Sequence, residues 1–375
     1  MSDEVVRESD ALHARVRDLI ARSDAADVAI DAEIDELALE ISRFQERHVE
    51  PVRRLARTTS RRAPWLALPV DVFRLRRVSA HAPELDERVF RTSGSTSASR
   101  GAHSFRTLET YRRAALSFGA RMLVDPRGGA GWPRPTRAIV FTASSAALPE
   151  SSLSFMIDLF VEQFALRASH VVSAALGLEV ERAQRELESA AASDEPVLVM
   201  GTSFAYVFLL DALGGSGRAR FPLPRGSRLM LTGGFKGRTR EVPEGELRDA
   251  LATLLALDPR AIVGEYGMTE LSSQLYEPRL VSSTFVSNAV YRAPPWVRVA
   301  AAHPDTLEPL ARGEEGLLAI MDLANVDSAL TIQTMDRGVV LENGDVQLLG
   351  RAPAAELRGC SLTIEELGLA PPERS

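Results

Sequence analysis

Cysteine is nearly missing from this 375-residue sequence: Cys360 is the only one. An intramolecular disulfide is therefore excluded, which fits a reducing compartment. No apolar run reaches the roughly 18 residues needed to span a bilayer. The first 22 residues are charged throughout and contain no hydrophobic signal region. Positive charge is also in deficit, with 51 acidic against 44 basic residues and a net charge of −7. That argues against nucleic-acid or anionic-membrane partners, which demand a concentrated basic surface. A cytoplasmic protein without a membrane span is expected. Lysine is as scarce as cysteine, Lys236 being the single one among those basic residues. Arginine is a planar fork and lysine a compact charge on a slim stem, so Lys236 marks a candidate place where a phosphate or carboxylate is reached down a narrow approach. A chance survivor is the plain alternative.

The composition is otherwise ordinary for a globular chain, 45% hydrophobic and 25% charged, long enough for one large domain or two. From about residue 3 to 57 apolar residues recur at helical spacing: Val16, Leu19 and Ile20, then Ile30, Ile34, Leu37, Leu39 and Ile41. Asp24 and Asp31 are candidate helix starts. Residues 1–62 are expected to form a helical segment packed on the main domain; a partner-binding arm is the alternative. Beyond Pro64 the texture changes. Candidate strands are Ala138–Thr142, Val197–Met200, Arg228–Thr232, Ala261–Val263, Leu317–Met321, Val339–Leu341 and Val346–Leu348. Candidate helices are Leu108–Leu123, Ser152–Ala165, Glu179–Ala191, Phe204–Leu213 and Glu244–Leu255. The alternation predicts an α/β domain with a largely parallel sheet over residues 63–350. Glu342-Asn343-Gly344-Asp345 carries a hairpin signal.

Two segments carry chemistry. Arg91–Gly101 contains only Ser, Thr, Gly and Ala between its arginines, apart from Gly101 itself at the end. Small residues let the amides of Thr92, Ser93, Gly94, Ser95 and Thr96 approach phosphate oxygens, and Arg100 adds charge. The terminal Gly-Lys-Ser/Thr of a Walker loop is missing, and a Ser-rich loop without a ligand is the competing reading. Gly264–Glu270 follows an apolar strand, where α/β sheets place ligands. Tyr266, next to Gly267, offers a flat face for a base, and Thr269 a hydroxyl for a phosphate. Glu270 offers a carboxylate to Mg²⁺, which takes one or two such ligands beside phosphate oxygens. The alternative is a capped helix N-terminus. His103 is expected to be packed rather than to touch substrate. Ser151-Ser152 and Gly201–Phe204 are candidates to line a substrate pocket, with Phe204, Tyr206 and Phe208 expected in the core.

The two segments together resemble the core motifs of the adenylate-forming superfamily: acyl-CoA synthetases, nonribosomal adenylation domains and luciferases. Thr92–Thr96 matches its phosphate loop, with Ser97 where glycine is usual and Arg100 where lysine is common. Tyr266–Glu270 matches its Tyr-Gly-x-Thr-Glu motif. Thr334-Met335-Asp336 resembles its Thr-Gly-Asp motif, with Met335 in place of glycine. Gly350-Arg351 and Arg358-Gly359 resemble its hinge motif. Three further stretches, Leu68–Phe73, Thr232–Arg238 and Leu357–Leu362, are similar to one branch, the LuxE-like acyl-protein synthetases of bacterial fatty-acid reductase complexes.

The resemblance implies the large N-terminal domain of the adenylate-forming fold. Thr92, Ser93, Gly94, Ser95, Thr96, Arg100, Gly233, Gly234, Tyr266, Gly267, Thr269 and Arg351 would surround ATP, Glu270 would hold Mg²⁺, and Asp336 the ribose hydroxyls. Only sixteen residues follow Gly359, so the family's small C-terminal domain and its catalytic lysine are expected to be absent. Residues 351–375 are then a short hinge-derived tail carrying Cys360. The branch implies an ATP-dependent acid–thiol ligase that makes an acyl adenylate from a fatty acid. It passes the acyl group to its own Cys360 and hands it to an acyl reductase partner. Lys236 is expected to replace the missing lysine, and Arg358 to favour the Cys360 thiolate. An acyl- or aryl-CoA ligase of the phenylacetate type and a non-catalytic nucleotide-binding scaffold are the other readings. Glu270 and Asp336 argue against the scaffold, which needs neither a metal ligand nor a ribose clamp. An aromatic acid fits these motifs as well as a fatty one.

Overall fold

The computed structural model describes residues 3–23, 30–59, 65–93, 100–126, 132–214, 221–233, 242–282, 289–353, 360, 363–364 and 367. The chain divides into two compact units. Residues 1–117, 268–273 and 292–375 form the first, and residues 118–267 and 274–291 the second.

The second unit is built on the expected parallel sheet. Its strands run in the order Leu275–Tyr276, Ile262–Tyr266, Arg228–Thr232, Val197–Thr202, Arg137–Phe141 and Arg167–His170. All neighbours are parallel except the first pair. Every residue of Arg228–Thr232, and all but the last of Val197–Thr202, is buried, as a sheet covered on both faces requires. The covering helices are Ser152–Gln163, Val180–Ala191, Ser203–Ala212 and Glu244–Leu255. Their apolar faces join the strands in a core that includes Ile139, Leu187, Val199, Tyr206, Leu251 and Ile262. Each such side chain contributes about 1.5–3 kcal/mol by leaving water. The strand expected to stop at Val263 runs on to Tyr266, so Gly264, Glu265 and Tyr266 are sheet residues. Phe208, expected in the core, is 45% exposed, while Tyr206 is buried and its hydroxyl donates to the Met230 carbonyl at 3.0 Å.

The first unit begins with three helices, Asp3–Ser23, Asp31–His48 and Glu50–Thr58. The predicted stripe is buried at Val16, Leu19, Ile20, Ile34, Leu37 and Ile41; Leu39 faces outward. Asp31 starts a helix as expected; Asp24 lies outside the described residues. The later half of the unit is an antiparallel sheet in the order Val346–Arg351, Thr331–Val340, Glu315–Asp322 and Val297–Ala302. Leu68–Pro69 adds parallel to Thr331–Val340. The Glu342–Asp345 signal is the turn of one hairpin, with Gly344 at φ +83° and Gly344 N–H donating to the Leu341 carbonyl. A parallel order is impossible here, since a connection this short joins only antiparallel strands. A second hairpin, Arg88–Arg91 with Ala102–Phe105, was not foreseen.

Candidate functional site

The Ser-rich segment connects in sequence the two strands of that second hairpin. Arg91 pairs with Ala102 in the ladder. One step further, Thr92 N–H donates to the Gly101 carbonyl at 3.0 Å, and Gly101 N–H to Thr92 Oγ1 at 2.9 Å. Arg100 Nε donates to the Thr92 carbonyl at 2.6 Å. The loop is thus cross-linked at its neck before residues 94–99 begin. Gly94, Ser95 and Thr96 lie outside the described residues, while Ser93 is exposed at the edge of the loop.

Glu270 comes to the same neck. A Cβ placed on Gly101 would lie 3.1 Å from Glu270 Oε1 and 3.2 Å from Thr92 Cγ2. Glycine at 101 therefore leaves room for the carboxylate beside the threonine. No helix starts at Thr269-Glu270. They form a turn closed by Leu271 N–H to the Met268 carbonyl at 3.1 Å. The Thr269 carbonyl is held by His103 Nδ1 at 3.0 Å. A carbonyl only accepts, so that nitrogen carries the proton. Burial pushes the His103 pKa down to about 4, so the ring is neutral, packed between Phe73 and Phe105. The Glu270 carbonyl is held by Asn325 Nδ2 at 3.0 Å. Sequence reasoning singled out Glu270 and read His103 as packed; it missed Asn325, which sits in a loop without a motif.

The fit to Mg²⁺ rests on the donor set. Among the described residues no group of three or more His, Cys, Asp or Glu could form a metal cage. One carboxylate is a donor set that Mg²⁺ accepts, because it keeps waters and phosphate oxygens as its other ligands.

Asp336 and Arg351 meet in the first unit. They are register partners in the antiparallel sheet, and Arg351 Nε lies 3.4 Å from Asp336 Oδ1. Thr334 is not in a turn; it lies within the strand, donates from Oγ1 to the Leu318 carbonyl at 2.8 Å and accepts from Asp336 N–H at 3.1 Å. Cys360 is buried against Leu307, Leu317 and Ala352. Residues 351–375 were expected to form a short tail carrying Cys360; the thiol packs as a member of a small apolar cluster. Arg358 lies outside the described residues.

The second unit holds the remaining residues singled out from the sequence. Gly233 adopts φ +69°, and its carbonyl accepts from Ser203 Oγ at 2.7 Å. Gly234 and Lys236 lie outside the described residues. Tyr266 ends its strand, tilted against Tyr291 at 6.1 Å between ring centres. Gly267 is glycine for a clear reason: a Cβ there would meet Glu265 Oε1 at 2.5 Å. Glu265 is a site-adjacent residue that the motif hid. Its buried carboxyl accepts from Thr232 Oγ1, and burial raises its pKa to about 7. An acid inside an otherwise apolar strand was the available signal. Below it, Glu277 accepts from Gly264 N–H at 2.8 Å and from Arg248 and Arg279 at 2.9 and 2.8 Å. Ser151 and Thr202, considered as pocket residues or their neighbours, cap helices by accepting from Ser154 and Ala205 N–H.

The family model described as acyl-protein synthetase, LuxE, matches residues 157–367, more than half of the chain. The chain belongs to the LuxE family. Two curated relatives, both described as long-chain-fatty-acid–luciferin-component ligase, come from Vibrio harveyi (30% identical over 146 residues) and Aliivibrio fischeri (24% over 197). These alignments cover 36% and 50% of this LuxE-family chain, and 36% and 50% of the relatives' own lengths. Among solved structures, a 2-hydroxyisobutyryl-CoA ligase in the postadenylation state is 14% identical and has a TM-score of 0.58, over 88% of this chain and 70% of its own. That likeness establishes the fold, an α/β domain of the adenylate-forming type with a helical N-terminus. The hairpin loop at 92–101 precedes the stretch matched by the LuxE model; Glu270, Asp336 and Cys360 fall inside it.

Proposed function

We propose that the chain activates a carboxylic acid with ATP, a long-chain fatty acid in the first instance. The convergence of Thr92, Gly101, Arg100 and Glu270 at the neck of one small-residue loop carries this reading. One carboxylate oxygen of the acid attacks the α-phosphorus, the bond to the β-phosphate breaks, and pyrophosphate leaves with its electron pair. The product is a mixed anhydride with AMP. Loop amides from Thr92 onward and Arg100 bind phosphate oxygens, and Asp336 binds the ribose hydroxyls. Tyr266 offers its ring to the base, and Lys236 supplies the compact cation at the α-phosphate. Mg²⁺ held by Glu270 would neutralise charge on the phosphate oxygens. The likeness of two relatives described as fatty-acid ligases supports the acid class. ATP–pyrophosphate exchange across a panel of acids tests the reading; no exchange with any fatty or aromatic acid would overturn it.

The second step transfers the acyl group to a thiol. In the reading favoured by family membership, Cys360 sulfur attacks the acyl carbon after losing its proton to solvent, a thioester forms, and AMP leaves. An acyl reductase is the proposed recipient. Residues 351–375 then act as the acceptor segment behind the catalytic residues 63–350, with residues 1–62 as a packed helical support. Burial of Cys360 beside Leu307 and Leu317 favours a second reading, in which an external thiol such as CoA is the acceptor. Intact-mass measurement after incubation with ATP and acid separates them. An acyl adduct that disappears in Cys360→Ser supports the first; thioester formation only when CoA is added supports the second.

A further inference from the structure

The Thr269–Glu270 turn is gripped at two consecutive carbonyls, by His103 and by Asn325. Both N–H groups and the carbonyl oxygen of the Asn325 side chain are engaged. Its amide donates to the carbonyls of Glu270 and Ala329 at 3.0 and 3.1 Å, and its Oδ1 accepts from Ser272 Oγ at 2.7 Å. Its loop is fixed in turn by Gln45 of the helix Asp31–His48. Gln45 Nε2 donates to the carbonyls of Asn325 and Val326 at 2.7 and 2.9 Å, and Gln45 Oε1 accepts from Leu330 N–H at 2.8 Å. Asp322 completes the frame, accepting from the N–H groups of Ser272 and Ser273 at 3.0 and 2.8 Å. Gln45, Asn325 and Asp322 are all buried.

We propose that Asn325, locked in place by Gln45 of the N-terminal helical segment, is a positioning residue that aims the Glu270 carboxylate at the neck of the Thr92–Gly101 loop. The helical segment is then part of the active-site frame rather than a cover. Buried polar networks of this kind are rigid only when every member is satisfied. The partners behind a metal-binding carboxylate set its orientation, and their loss lowers metal affinity or activity about 10–100-fold. The inference rests on the reading of Glu270 as a metal ligand.

The test uses the whole 375-residue chain and Mn²⁺ as probe, with an α,β-methylene ATP analogue that cannot be cleaved. Mn²⁺ binding is read by paramagnetic resonance, and nucleotide binding is measured separately in EDTA. Asn325→Ala, and the near-isosteric Asn325→Asp should the first not fold, raises the Mn²⁺ dissociation constant about tenfold or more. Gln45→Leu raises it severalfold, and metal-free nucleotide binding stays within about twofold in all variants. Leu187→Ala, a core truncation in the second unit, lowers thermal stability without moving the Mn²⁺ constant. An unchanged Mn²⁺ constant in the Asn325 variants, with a shifted one in Glu270→Gln, overturns the positioning role and leaves the reading of Glu270 intact. An unchanged constant in Glu270→Gln as well overturns both.

Discussion

The Glu270 carboxylate lies so close to Gly101 that a Cβ on the glycine would come within 3.1 Å of Oε1. This places a carboxylate against the end of a loop 169 positions earlier in the chain, with Thr92 as the third member of the contact. Gly101→Ala must push the carboxylate or the threonine aside by a few tenths of an ångström. Small displacements at a reacting centre lower rate far more than stability, by up to about a hundredfold for a shift near 1 Å. Pyrophosphate exchange should therefore drop roughly tenfold, with the thermal midpoint little changed. Full activity in Gly101→Ala would show that Glu270 need not stay where it is.

Variants of Asp336 and Arg351 test the proposed ribose recognition separately from stability. Their contact at 3.4 Å involves an arginine that is largely exposed, and exposed pairs contribute about 0–1 kcal/mol. Arg351→Ala should barely move the denaturation midpoint. Asp336→Asn should raise the KM for ATP without changing that for the acid, as expected of a group that holds ribose. Equal effects on both substrates would count against the ribose role.

His103 makes the fold acid-sensitive in a defined window. Burial lowers its pKa to about 4, against an ordinary 6.5. Between these values the unfolded chain takes up a proton that the folded ring refuses. The stability contributed is full above pH 6.5 and is lost as pH falls towards 4, by an amount of the order of 3 kcal/mol. Asp327, depressed to about 2, acts only at lower pH, so the windows are distinct. Urea denaturation at pH 7, 5.5 and 4.5 should show a shallower loss in His103→Gln than in the parent protein. Parallel curves would exclude His103 as the source.

Much of the candidate site was legible because the proposed chemistry demands particular small or charged residues in sequence. The Thr92–Thr96 and Tyr266–Glu270 runs announce themselves, and the buried strands Val197–Thr202 and Arg228–Thr232 read as continuous apolar stretches. What stayed hidden depends on partners far apart in the chain. The hairpin that presents the loop is short and Arg-rich, with no alternating pattern. Asn325 gains its role only through Gln45, 280 residues away, and no local period reports such a pairing. Cys360 was read from its uniqueness and its place in the sequence, neither of which encodes the Leu307 and Leu317 side chains that cover it.

Glu265 has the opposite pH signature to His103. Its buried carboxyl titrates at about 7, above an ordinary 4.5. The folded state therefore keeps a proton that the unfolded chain has released between those values. Its stabilising contribution is full below pH 4.5 and fades as pH rises through 7. Glu265→Gln keeps the shape and a polar partner for Thr232 but cannot ionise. The variant should gain on the parent in thermal midpoint between pH 5 and pH 8. A difference that stays constant over that range would mean the carboxyl is ionised throughout.

Cys360 is buried, so its reactivity tests the acyl-transfer reading directly. A thiol packed against Leu307, Leu317 and Ala352 reacts only when the cluster opens, so labelling by iodoacetamide should be slower than that of a free thiol by about tenfold or more. Truncating the cover in Leu317→Ala should raise the labelling rate while lowering stability by about 2–5 kcal/mol. If Cys360 accepts the acyl group, ATP with a competent acid must make the thiol react, either with the reagent or with the adenylate itself. The expected outcome is faster consumption of the free thiol in the presence of both substrates than with either alone. A labelling rate indifferent to both, together with pyrophosphate release at full rate, would assign the thiol to packing and the acyl group to an external acceptor.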